Sequence, residues 1–131
     1  MITLSKNKNY LSGMVGLYYL LIHADGDVNE KEICSGQMMR KSEGIEELAF
    51  NNLLNAYNGA EKDLLYKQSV SSLKNCTTED QVRLIAWLTR VASSDGFMDP
   101  KEWRLLYQVY FCELNLNLKE ILHVKKNLPM C

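Results

Sequence analysis

Apolar residues recur along this chain at three- and four-residue spacing, and no segment alternates with the period of two expected of a half-buried strand. From Ser5 to Ala24, Leu11, Met14, Val15, Tyr18 and Ile22 share one face, and Leu17, Leu20 and Leu21 widen it, so the first helix is expected at the centre. Asn29 then caps a second helix, with Glu32 three residues on as the partner of a capping box, running to Arg40 or Lys41. A third helix follows Gly44, carries Leu48, Leu53, Leu54 and Tyr57, and stops at Asn58-Gly59. A fourth, from Glu61 to Leu73, carries Leu64, Leu65 and Val70.

Thr77 or Thr78 opens the fifth, whose stripe is Val82, Ile85, Ala86, Leu88 and Ala92, with Trp87 alongside. Asp99 caps the sixth, and Pro100 takes the first helical position, where a missing N–H costs nothing. Trp103, Leu106, Tyr107 and Tyr110 follow. Asn117 caps the seventh, with Glu120 at the box position and Ile121, Leu122 and Val124 behind it. The expected fold is all-α, a single compact domain over residues 1–131 built as a bundle of about seven helices. Trp87 and Trp103 are both expected in its core.

The chain also matches itself at an offset of 70 residues. Met14-Val15 meets Leu84-Ile85, Gly16 meets Ala86, Tyr18 meets Leu88 and Leu21 meets Val91. Asp25-Gly26 then meets Asp95-Gly96, Val28-Asn29 meets Met98-Asp99, and Lys31-Glu32-Ile33 meets Lys101-Glu102-Trp103. This predicts an internal duplication, one copy at about 5–57 and the other at about 77–127. The simplest packing crosses the first and fifth helices near Gly16 and Ala86 and sets two acidic loops in equivalent positions.

Those loops carry the candidate chemistry. Asp25 and Asp95 follow the last turn of a helix, where carbonyl oxygens are free and a carboxylate is unfavourable by about 0.3–1 kcal/mol. A bound cation would reverse that sign. Asp27 and Asp99 add carboxylates, and Glu32 and Glu102 stand one turn into the next helix, a set of oxygens suited to a hard divalent cation. The competing explanation is structural: Gly26 and Gly96 end helices, Asn29 and Asp99 cap the next ones, and the glutamates close capping boxes. The spacing is not that of an EF-hand, because Glu30 and Gly36 fall where a glycine and a glutamate are required.

Composition narrows the function classes. A formal net charge of −1 supplies no basic field to gather nucleic acid. No nucleophile motif and no glycine-rich phosphate loop occurs, so no enzymatic activity is expected. His23 and His123 lack a partner at metal spacing. The longest apolar run, Met14 to Ile22, is far short of the ~20 residues that span a bilayer. Cys34, Cys76, Cys112 and Cys131 are widely spaced, as reduced, mostly buried cytosolic thiols would be, and the expected location is cytoplasmic.

Ala24-Asp25-Gly26 with Glu32, and Ser94-Asp95-Gly96 with Glu102, each behind an apolar helix, resemble the tellurite-resistance TerB-like family. The resemblance covers nearly the whole chain and extends to the helical domain of some membrane-anchored DnaJ-like chaperones. It implies an all-helical fold with an internal duplication. It also implies a divalent-cation site (Ca²⁺, Mg²⁺ or Mn²⁺) at Asp25, Glu32, Asp95 and Glu102. The role it implies is in stress response or in membrane-associated assemblies, through a protein partner. Asp27 and Asp99 match less closely, and Ser94 stands where the family usually has alanine.

Overall fold

The computed structural model describes residues 8–24, 26, 28–94 and 98–128. They form α1 (Lys8–Ile22), α2 (Glu30–Ser42), α3 (Glu47–Tyr57), α4 (Lys62–Lys74), α5 (Thr78–Ala92), α6 (Pro100–Tyr107) and α7 (Leu118–Lys126). Gln108–Glu113 continue α6 as a π-helix. No strand occurs among the described residues.

Local chemistry sets most boundaries. Asn29 Oδ1 accepts the Glu32 N–H at 2.9 Å while Glu32 Oε1 accepts the Asn29 N–H at 3.2 Å, so the first predicted capping box is closed. Thr77, Asp99 and Asn117 cap α5, α6 and α7 through side-chain oxygens. Glu61, expected inside the fourth helix, is its cap instead and accepts the Asp63 and Leu64 N–H groups. Gly26, Gly44 and Gly59 all take the left-handed φ that ends helices at little steric cost. Asn115, also left-handed, turns the chain between the π-helix and α7.

Helix α1 is central and touches α3, α4, α5 and α6, while α2, α6 and α7 pack on α5. The core joins Tyr10, Met14, Leu17, Tyr18 and Leu21 of α1 to Phe50, Leu65, Leu73, Leu84, Ile85, Trp87, Leu106 and Ile121. Glu43, buried just past α2, receives the Tyr10 hydroxyl at 2.6 Å and the Arg83 Nε–H at 2.8–2.9 Å, tying α1 and α5 to the α2–α3 turn.

Several packing expectations are corrected. Gly16 faces α4, where a Cβ would overlap Ser69 Oγ, so its close approach is to α4 and not to Ala86 on α5. In α3 the core residue is Phe50, and Leu48 is 70 % exposed. Leu64 and Leu122 are exposed beside the buried Leu65 and Ile121. Trp103 is 41 % exposed and Tyr107 similarly so, whereas Glu102, Leu106, Val109 and Tyr110 face inward. The π-helix causes part of this: its wider turn lets the successive residues Val109 and Tyr110 both point into the core. The expectation of four reduced thiols is also corrected, since Cys34 is disulfide-bonded. Cys76 is a half-buried free thiol and Cys112 an exposed one.

Candidate functional site

Of the four residues singled out as ligands, Glu32 and Glu102 are described, while Asp25 and Asp95, together with Asp27, lie outside the described residues. Glu32 and Glu102 are each only 2 % exposed. Ordinary helix N-termini keep their first-turn glutamates in water, as α2 itself does with Glu30.

Packing between the two halves places them. The start of α2 lies against the end of α5: Glu30, Lys31, Cys34 and Ser35 share a pocket of about 440 Å³ with Ser94, the last described residue before the second acidic loop. Ser94 Oγ is buried there without a hydrogen-bond partner among the described residues. On the other side, α6 touches α1. Each acidic-loop helix therefore packs across onto the other half of the chain. No glycine or turn in the sequence signals this exchange.

Tyr18 holds α2 in place. Its buried ring lies under Gly36, where a Cβ would overlap Oη and Cζ and sit 2.6 Å from Cε1. Its hydroxyl donates to the Glu32 carbonyl at 3.2 Å. Burial, and then the nearby Glu32, push the Tyr18 hydroxyl well above the usual phenol range, so it stays a donor.

The two glutamates are held differently. Glu32 belongs to the closed capping box, which commits Oε1 to the Asn29 N–H. In the second half the Asp99 side chain accepts from Lys101 N–H at 2.8 Å instead of from the Glu102 backbone. Among the described residues, no group of three or more His, Cys, Asp or Glu side chains could hold a metal.

One feature escaped the sequence reading. Trp103, Tyr107 and Phe111 form an exposed aromatic ladder along α6 and the π-helix, with Tyr107 and Phe111 stacked at 5.1 Å and Tyr107 edge-on to Tyr110 at 5.7 Å. The signal was present as aromatic residues at i, i+4 and i+8. The equivalent positions on α2 are Ile33, Gln37 and Lys41, so the ladder belongs to one half only.

Among the described residues no helix is long and apolar enough to cross a membrane. No curated protein and no solved structure matches the chain. Residues 12–121 match the family described as Tellurite resistance protein TerB, and with so much of its length matched, including both acidic-loop regions, the chain belongs to the TerB family.

Proposed function

We propose that this chain is a non-enzymatic helical module whose two acidic loops take up a divalent cation, with Glu32 and Glu102 supplying buried carboxylates and Asp25 and Asp95 completing the ligand set. The observation that carries the reading is the equal burial of Glu32 and Glu102 at positions 70 residues apart, each one turn past an acidic loop. A cation beside a buried carboxylate offsets the cost of withdrawing it from water, in addition to whatever bonds the carboxylate already makes. The donors are carboxylate oxygens, which suit Ca²⁺, Mg²⁺ or Mn²⁺ better than a thiophilic ion. Cys34, at the same pocket, is in a disulfide and offers no thiolate. Glu32 Oε1 serves the cap, and in this reading Oε2 would face the ion. A bound ion would neutralise the cluster and link the two loops, making their conformation responsive to cation supply. A module of this kind fits a stress-response or membrane-associated assembly in which the loops signal to a protein partner.

The test is a thermal melt of metal-stripped protein with and without millimolar Ca²⁺, Mg²⁺, Mn²⁺ and Zn²⁺, run beside Asp25→Asn/Asp95→Asn and Glu102→Gln. Selective binding to the folded state raises Tm through linkage. A rise with one ion that both variants lose supports the reading. An unchanged Tm with every ion sinks it and leaves the loops as helix caps.

A second reading, a protein-interaction module with purely structural loops, is favoured by the exposed Trp103–Tyr107–Phe111 ladder. Aromatic residues are over-represented at interface cores. A partner whose capture is lost in Trp103→Ser/Phe111→Ser and indifferent to chelator would select it.

A further inference from the structure

A second pocket lies where the last turns of α5 and α7 meet. It has a volume of about 470 Å³ and is lined by Arg90, Ser93, Leu122, Lys125 and Lys126. Three cationic side chains converge there, and among the described residues no carboxylate lines it. Elsewhere buried or half-buried arginines are engaged: Arg83 with Glu43, and Arg40 with Gln37 and the Ile45 carbonyl.

Cations near a helix C-terminus ordinarily need no explanation, because they answer its free carbonyls. Here several of those carbonyls are already occupied. Thr89 O accepts from the N–H and the hydroxyl of Ser93, and Val91 O accepts from Ser94 N–H. At the end of α7, His123 O accepts from the Asn127 side chain, Val124 O from Asn127 N–H, and Lys125 O from Leu128 N–H. Arg90 is pinned by a hydrogen bond from Nη2 to the Lys125 carbonyl, which fixes its guanidinium plane. Its Nε–H is buried and has no acceptor among the described residues. An arginine held in place beside two lysines, in a pocket that no carboxylate lines among the described residues, is an arrangement that an anion completes.

We propose that Arg90, Lys125 and Lys126 form a binding pocket for a doubly charged oxyanion of the phosphate type, either free or as the terminal group of a small phosphate ester. The Arg90 guanidinium, held in place by the Lys125 carbonyl, supplies the oriented positive charge, and the two ammonium groups add to it. Ser93 has spent its hydroxyl hydrogen on Thr89 O and serves only as wall. Leu122, exposed at the same pocket, offers an apolar contact to the organic part of an ester. The state of Lys125 agrees: burial, and then the Arg90 charge, lower its pKa, and an anion between them would relieve both effects. This proposal is independent of any cation at the acidic loops.

The experiment is isothermal titration of the full chain with inorganic phosphate and with glycerol 3-phosphate, at ionic strength held constant with sodium chloride. The Lys125→Gln/Lys126→Gln variant is titrated in parallel. Arg90→Met is added, with circular dichroism to confirm folding; Lys126 is exposed, so Lys126→Gln alone is the variant that keeps its fold in any case. The expected result is saturable one-to-one binding with Kd in the millimolar range or tighter, weakened about tenfold or more in the lysine variants. Tighter binding of glycerol 3-phosphate supports an ester ligand at this pocket, and equal binding supports the free ion. Absence of saturation with either probe overturns the proposal. So does binding that survives in both lysine variants, or a response that sodium chloride alone reproduces.

Discussion

Substituting Gly36 by alanine tests the packing that seats α2 and Glu32. On helix propensity alone the change is favourable, since glycine is worse than alanine in a helix interior by about 0.8–1.0 kcal/mol. The structure predicts the opposite sign. The new Cβ would overlap Tyr18 Oη and Cζ and lie 2.6 Å from Cε1, against about 3.5–4.0 Å for an ordinary carbon contact. Tyr18 cannot swing aside, because its ring is buried against Phe50 at 5.6 Å and its hydroxyl is bonded to the α2 backbone. Helix α2 must therefore move away by roughly 1 Å, an overpacking cost of about 1–3 kcal/mol. The Tyr18–Glu32 hydrogen bond goes with it, at about 1 kcal/mol. Net destabilisation of about 1–3 kcal/mol remains after the propensity gain.

Urea unfolding followed by circular dichroism at 222 nm measures this directly, with a Tm fall of roughly 4 °C per kcal/mol as a cross-check. Tyr18→Leu in the same background removes the ring and is expected to rescue part of the loss, with a coupling of about 0.5–3 kcal/mol in the double-mutant cycle. The second half of the chain carries Leu88 and Leu106 at the equivalent positions, both buried. A Gly36→Ala protein as stable as the parent, or more so, refutes the reasoning.

Arg83→Met removes two charge-assisted bonds to buried Glu43. Because the Arg83 side chain is 37 % exposed, the expected loss is about 2 kcal/mol, below the about 3–5 kcal/mol typical of a fully buried pair, and denaturant titration reads it. Raised pH should unfold the protein through its tyrosines. The Tyr10 hydroxyl is pushed up by burial, then by the Glu43 charge, and Tyr66 by burial, then by Glu113; both rise well above their ordinary value of 10.0. Unfolded tyrosines ionise near 10.0 while the folded ones hold their protons, so stability is full below that pH and falls as pH rises beyond it. Tyr10→Phe should flatten the fall in a series of melts from pH 8 to pH 11.5, and an unchanged slope would show that Tyr10 does not drive it.

Local chemistry made much of this protein legible before any fold was known. Helix boundaries follow from backbone hydrogen bonds and caps within a few residues of each other, so Asn29 with Glu32, Thr77, Asp99-Pro100 and Asn117 announced four starts correctly. The offset of 70 likewise directed attention to Glu32 and Glu102, although it could not say that both are withdrawn from water. A helical stripe spans a wide arc, and the periodicity of α6 did not reveal that Glu102 faces inward while Trp103, one residue further on, faces out. Which neighbour a helix chooses depends on side chains far away in sequence. Gly16 meets Ser69 because α1 and α4 interdigitate there, and Gly36 accepts Tyr18 because an aromatic ring needs the room. The junction of α2 with Ser94, and the meeting of Arg90 with the end of α7 some 35 residues on, arise only when separate elements are packed together. A pattern read along one helix contains no term for such contacts, because their energies depend on burial and on partners that only the folded chain supplies.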